Sequence, residues 1–145
     1  MTHGIDTDFL VAVEIENHPF HRQADELLQS LLKDGHDLAL APQTLAEFIH
    51  IVTDAKRMPQ PLSMAEAIRR AEHWWQAEEV VRVYPEGQAV TDSFGWLTRH
   101  QLGRKRLLDT LLAATFHQAG VKRLVTNNHR DFKVFGALEI VNFHS

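Results

Sequence analysis

The sequence predicts a single α/β domain, an α/β/α sandwich in which helices cover both faces of a mostly parallel central sheet. Its 145 residues match the usual length of one domain, so residues 1–145 are assigned to one unit. Short apolar segments alternate along the chain with longer segments of helical periodicity. This alternation is typical of β-α-β units, whose strands run parallel.

Five short apolar segments are predicted to be strands. The first ends at residues 5–6, and Asp6, Thr7 and Asp8 then supply side-chain oxygens that can cap a helix beginning near Phe9. The other four are bounded by polar, glycine or proline residues, which end strands. They are residues 38–41, 80–83, 123–126 and 138–143.

Helical periodicity predicts the elements between these strands. In residues 21–33 apolar side chains recur every three or four positions. Ser63 is expected to cap a helix over residues 64–79, with Glu66 at the capping-box position. The remaining helices are a short one that ends before Pro19, then residues 43–55, 88–99 and 107–118, while residues 103–106 are a basic connector and 127–131 a polar loop.

Composition excludes several kinds of protein. The chain has no cysteine, which excludes disulfides, thiolate zinc sites and cysteine nucleophiles. The sequence has neither a signal peptide pattern nor an apolar run long enough to span a bilayer, so we expect a cytoplasmic protein. The net charge of −4 is unlike that of most nucleic-acid binders, but four metal-binding carboxylates would account for it.

Acidic residues follow the predicted strands. Asp6 ends the first, Glu47 lies in the helix after the second, and Asp131 follows the fourth. In a parallel sheet such positions meet at the carboxyl edge, where ligands bind. Each acid also has an ordinary explanation: Asp6 and Asp8 as helix caps, Glu47 on a solvated helix face and Asp131 in a turn.

Asp109 lies on the apolar stripe of its helix, because Leu112, Ala113 and Phe116 follow at helical spacing. A carboxylate is rarely buried unpaired, so we expect either Arg106 or a cation to compensate it. Asp, Glu, Asp and Asp together suit one or two Mg²⁺ or Mn²⁺ ions. Two carboxylates about 4 Å apart repel by roughly 4 kcal/mol at an effective dielectric near 20, which predicts at least one raised pKa.

Four segments of the chain resemble a known family. They read IDTDFLVA at residues 5–12, TLAEF at 44–48, LDTLLAAT at 108–115 and LVTNNHRDF at 124–132. In this order they resemble the PIN domain, most closely the toxin ribonucleases of VapBC-type toxin–antitoxin pairs. The resemblance implies the α/β/α fold and a Mg²⁺- or Mn²⁺-dependent endoribonuclease that leaves 5′-phosphate and 3′-hydroxyl ends.

The resemblance also implies roles for individual residues. The catalytic and metal-binding acids would be Asp6, Glu47, Asp109 and Asp131, with Thr7 and Asn128 in support. Asp8 departs from the pattern, because the family commonly has Asn or Ser there, and it adds a fifth carboxylate.

Partners are implied in the same way. The family likeness suggests an RNA substrate, an antitoxin protein and a homodimer. Arg104, Lys105 and Arg106 are candidates for RNA backbone contacts, with a solvated connector as the alternative. Adjacent Trp74 and Trp75 face different directions on a helix, so we expect one in the core and the other in a patch for a dimer or an antitoxin helix.

Two other functions fit part of the sequence. The Asp6-Thr7-Asp8 segment resembles the opening of haloacid-dehalogenase-like phosphatases, in which the first aspartate is a nucleophile. Leu10 stands where those enzymes usually have Thr or Val, and no downstream G-D-x-x-x-D motif follows. The third possibility is a non-catalytic binding module of the same fold, which Mn²⁺ would not stabilise against heat.

Overall fold

Parallel strands form the central sheet of the computed structural model, which describes residues 1–144. The strands are β1 (Thr2–Ile5), β2 (Asp37–Leu40), β3 (Val80–Arg82), β4 (Arg123–Val125) and β5 (Glu139–Val141). Their order is β3-β2-β1-β4-β5, which puts the first strand at the centre. All four pairings are parallel, so the predicted parallel sheet is confirmed.

Seven helices lie among residues 1–144. None of them has the length and apolar character that crossing a membrane requires. A single 3-10 turn, Arg104–Arg106, leads directly into α6. The helices are α1 (Thr7–Glu14), α2 (His21–Lys33), α3 (Pro42–Val52), α4 (Met64–Gln76), α5 (Gly87–Arg99), α6 (Leu107–Gln118) and α7 (His129–Lys133).

The side chains of β2 show how the core divides into two layers. Leu38 and Leu40 belong to the apolar cluster that contains residues of α1 to α4. Ala39 belongs to a second cluster, formed with residues of α5, α6 and α7. Because successive strand residues point to opposite faces, both faces of the sheet are covered. The predicted α/β/α sandwich is therefore confirmed.

Several helix predictions need correction, and α4 ends at Gln76 rather than at residue 79. Helix α3 begins at Pro42 rather than at residue 43 and ends at Val52 rather than at residue 55. Proline suits the first helical turn, because its fixed φ is helical and its missing N–H has no partner to lose there. Residues 129–133 form the short helix α7 where a polar loop was expected. Asp131 is therefore fixed in a helix, not in a turn.

Helix α4 begins at its predicted cap but without the full capping box. The Ser63 hydroxyl accepts from the Glu66 N–H at 3.1 Å. The Glu66 carboxylate does not reach back to Ser63; it accepts from the guanidinium groups of Arg69 and Arg70. Two nearby arginines outcompete a neutral backbone N–H for this charge.

Gly4 marks the closest approach of a helix to the sheet. A Cβ placed at Gly4 would lie 3.0 Å from two ring carbons of Phe116 in α6. We therefore expect Gly4→Val to lower the free energy of unfolding by about 1–3 kcal/mol through overpacking, measured by urea denaturation. Gly95→Ala, in α5 with nothing within 4 Å of the new Cβ, is the control and should stabilise by about 1 kcal/mol. A neutral Gly4→Val would contradict this packing.

Candidate active site

Asp6 joins the end of β1 to the start of α1. One carboxylate oxygen, Oδ1, accepts from the Thr7 N–H at 2.8 Å and caps the helix. The other, Oδ2, accepts from the Thr126 hydroxyl at 2.8 Å. Thr126 directly follows β4, which pairs with β1. Asp6 is thus both the predicted cap and a buried acid at the carboxyl edge, with 7% of its surface exposed.

Asp8 does not cap the helix, contrary to its ordinary explanation. Its Oδ2 accepts from the Asn127 N–H at 2.9 Å and lies 3.1 Å from the Thr126 hydroxyl oxygen. Its Oδ1 is buried without a hydrogen-bond partner. The single Thr126 hydroxyl proton can serve only one of Asp6 and Asp8 at a time. The two carboxylates therefore compete for one donor.

Four carboxylates line one cavity of about 460 Å³. Asp6 and Asp8 reach it from the start of α1, Glu47 from α3 and Asp109 from the first turn of α6. Thr7 and Asn128 also line it, as does the exposed side chain of Leu108. A second, largely apolar cavity of about 310 Å³ adjoins it and shares Asp6, Glu47 and Asp109. Residues separated by a hundred positions in the chain thus meet at one edge of the sheet.

The cluster holds more negative charge than its surroundings neutralise. Burial, and next the Asp8 charge, raise the pKa of Asp6 to about 8. Burial also raises the pKa of Asp109 to about 6, and the charges of Glu47 and Asp131 add to that effect. The pKa of Asp8 is raised as well, chiefly by burial. At least one pKa is raised, as expected, but burial is the largest cause and the neighbouring charges add to it.

Asp131 stands beside the cavity and does not line it. Its Oδ1 lies 3.6 Å from a guanidinium nitrogen, NH1, of Arg106. Arg106 was the expected partner of Asp109, but among residues 1–144 its ion pair is with Asp131. It still lowers the pKa of Asp109 through its charge. The sequence could not distinguish the two partners, because α7 comes next to the 3-10 turn only in the folded chain.

Basic residues stand at the mouth of the acidic cavity. Arg104 and Lys105 line it, together with Arg57 and His50. Sequence reasoning missed the last two. His50 lies three positions after Glu47 on α3, a spacing that places both on one helix face, so it could have been found. Arg57 comes from the loop after α3 and has no comparable local signal.

The donor set fits a hard divalent cation. Every carboxylate in the cavity offers oxygen ligands, which Mg²⁺ and Mn²⁺ prefer, and Asp8 Oδ1 has no other partner. The part of the chain that the structure describes contains no three His, Asp or Glu side chains already grouped as metal ligands. Repulsion opposes such grouping without a cation, so binding would draw the carboxylates together.

Known proteins match the chain in structure only. No protein-family model matches it, and no curated protein does. Among solved structures, Mycobacterium tuberculosis VapC20, a toxin that cleaves the sarcin-ricin loop, has a TM-score of 0.72 at 16% identity, over 96% of this chain and 98% of the other. VapBC2 of Rickettsia felis, bound to promoter DNA, has a TM-score of 0.70 at 18% identity, over 99% of this chain and 100% of the other. VapBC-1 of nontypeable Haemophilus influenzae has a TM-score of 0.66 at 20% identity, over 99% of this chain and 98% of the other.

These likenesses extend over 96–99% of this chain and 98–100% of the compared chains. At 16–20% sequence identity these likenesses establish the fold. A shared fold does not by itself establish a function. The resemblance to PIN domains is confirmed at that level. The chain has the fold of the toxins of VapBC pairs.

Proposed function

We propose that this chain is a metal-dependent endoribonuclease and the toxin of a type II toxin–antitoxin pair. The observation that carries the proposal is the meeting of Asp6, Asp8, Glu47 and Asp109 in one cavity at the carboxyl edge of the sheet. This cavity lies in a fold shared with a toxin that cleaves the sarcin-ricin loop. Oxygen-rich cavities with basic residues at the mouth suit a phosphodiester held on a cation.

In this proposal four acids hold the ion and a fifth, Asp8, is a positioning residue. Asp6, Glu47 and Asp109 would hold Mg²⁺ or Mn²⁺, and Asp131 would join them from α7. A bound ion would lower the pKa of water and withdraw charge from the scissile phosphate. Asp8 keeps Asn127 and Thr126 against the site through the bonds described above.

Ribonuclease activity is tested directly with a pool of single-stranded and stem-loop RNA oligonucleotides. We expect endonucleolytic cuts with Mg²⁺ or Mn²⁺ and none with EDTA, because without an ion the four carboxylates that line the cavity would repel a phosphodiester. The 5′ ends of the products should carry phosphate. Cleavage that persists in EDTA, or a protein that Mn²⁺ neither activates nor stabilises, would contradict the proposal.

The basic mouth of the cavity is proposed to bind the RNA backbone through Arg104 and Lys105. Removing one phosphate contact should flatten the dependence of log affinity on log salt by about 0.7 for single strands. We expect this for Arg104→Gln and for Lys105→Gln, measured with a single-stranded RNA oligonucleotide. The measurement is made in an Asp109→Asn background to prevent cutting. Lys33→Gln, at the exposed end of α2, should leave the slope unchanged.

An antitoxin partner and a homodimer are also proposed. The compared VapBC structures are toxin–antitoxin pairs by their names. In this chain Trp74 is buried in the core, and Trp75 is half-buried against the same core cluster, with the Arg82 guanidinium 5.0 Å from its ring centroid. Trp75 is therefore the tryptophan available to a partner.

No observation favours the phosphatase. Its second acid would be Asp8, whose Oδ2 is held by the Asn127 N–H. The cleavage assay distinguishes a nuclease from a non-catalytic binding module, which would not cut RNA under any condition.

A further inference from the structure

Arg106 is tied to Asp131 at two points. Its guanidinium nitrogen NH1 faces the carboxylate oxygen Oδ1 at 3.6 Å, and NH2 donates to the backbone carbonyl of Asp131. The first contact neutralises charge, and the second fixes the backbone of α7. A guanidinium can make both at once because its donors form a rigid planar fork.

The fold confines Arg106 to this place. Its side chain is 20% exposed, and its guanidinium lies 6.0 Å from the centroid of the Phe135 ring. The Thr110 hydroxyl donates to the Arg106 carbonyl at 2.6 Å, which fixes the turn that carries it. Its Nε is buried without a partner. A flexible surface arginine would keep that donor in water, so the charge is held here despite an unsatisfied group.

Arg106 differs in this respect from the two basic residues before it. Arg104 and Lys105 line the acidic cavity, and neither forms an ion pair within residues 1–144. Arg106 is turned toward Asp131, which does not line the cavity, although Asn128 from the same segment does. Arg106 also lowers the pKa of Asp109 through its charge, against the larger effects of burial and of neighbouring acids. One guanidinium thus serves two members of the acidic cluster.

We propose that Arg106 is the internal counter-ion of the acidic cluster, which holds Asp131 in the absence of a divalent ion and competes with that ion for the Asp131 carboxylate. The inference rests on the proposed metal site and adds to it a positioning residue. A divalent ion beside Asp109 repels the guanidinium and attracts the carboxylate. Ion binding therefore separates the Arg106–Asp131 pair.

The test compares Arg106→Gln with Lys105→Gln, so that loss of one nearby positive charge is common to both. We expect Arg106→Gln to bind Mn²⁺ at least about tenfold more tightly than wild type, measured by titration calorimetry. Lys105→Gln should change the affinity less. In EDTA the Arg106→Gln variant should melt at a lower temperature than wild type, and Mn²⁺ should raise its melting temperature by more. Lower stability with tighter ion binding is not expected from a purely structural residue.

A double-mutant cycle with Asp131→Asn shows whether Arg106 acts through that carboxylate. In the Asp131→Asn background, Arg106→Gln should change Mn²⁺ affinity no more than Lys105→Gln does. Equal or weaker Mn²⁺ binding by Arg106→Gln would overturn the competition, as would an unchanged effect in the Asp131→Asn background. Those results leave the wild-type metal site intact. Failure of the proposed function differs, because then no variant, wild type included, would bind Mn²⁺.

Discussion

Asp109→Asn should abolish RNA cleavage while the protein remains folded. Asparagine keeps the shape of the side chain but removes the charge that a divalent ion needs. Losing even a residue that only supports a metal ligand lowers affinity or activity by about 10–100-fold. We therefore expect a loss of at least about a hundredfold for Asp109→Asn and for Asp6→Asn. The measurement is the initial rate of oligonucleotide cleavage at saturating Mg²⁺.

The matched control is Asp25→Asn, on the exposed surface of α2. It makes the same chemical change away from the cavity, so cleavage should remain at the wild-type rate. Circular dichroism and the melting temperature in EDTA establish that each variant folds. Full Mg²⁺-dependent activity in a folded Asp109→Asn or Asp6→Asn variant would show that the residue concerned does not hold the ion.

The metal-free protein should lose stability as pH rises toward 8. The pKa of Asp6 is about 8 in the folded chain against an ordinary value of 3.8. The folded state therefore holds the proton that the unfolded chain has released. This contribution to stability is full below the lower value and is lost as pH rises from there through the upper value. Where only the folded state is protonated, the slope is about 1.4 kcal/mol per pH unit for one group.

Urea denaturation in EDTA between pH 6.5 and pH 8 measures this slope. The window begins at pH 6.5 so that most histidine titration lies below it. Burial lowers the pKa of His3 and of His18, whose ordinary value is 6.5, and these groups oppose the trend at lower pH. Asp6→Asn should be less sensitive to pH and more stable than wild type at pH 8. Mn²⁺ should reduce the wild-type slope by stabilising the ionised acids. A wild-type slope equal to that of Asp6→Asn would rule out Asp6 as the group responsible.

Local signals in the sequence carried much of the fold. Residues 21–33 and 107–118 were predicted as helices with the bounds that the structure shows. Residues 21–33 have strong apolar periodicity and residues 107–118 are apolar over most of their length, while Asp34–Gly35 follows the first helix and Gly120 the second. Helix α7 was missed because its five residues are too few to show a period. It is held by packing of Phe132, which is fully buried.

The acidic site was foreseeable by a rule of topology. Asp6 follows β1 and Glu47 lies in the helix after β2, and parallel strands bring such positions to one edge; Asp109 lies in the first turn of α6. The partners of individual side chains within the site could not be predicted from the sequence. Arg106 forms its ion pair with Asp131 and not with Asp109. Asp8, which was expected to cap a helix, accepts a hydrogen bond from the Asn127 N–H after β4. Both outcomes depend on contacts between segments far apart in sequence.

Apart from helix α7, the sequence by itself determined the order of helices and strands, the parallel sheet and the edge at which acids collect. Each of these follows from apolar periodicity, from helix capping and from the alternation of strands with helices, all of which can be read from neighbouring residues. Only the tertiary structure decided how the charges are shared. It placed Asp6 and Asp8 on one Thr126 hydroxyl and set Asp131 beside the cavity with Arg106. Electrostatic energy depends on distance and burial, and for groups a hundred residues apart both quantities exist only once the chain has folded.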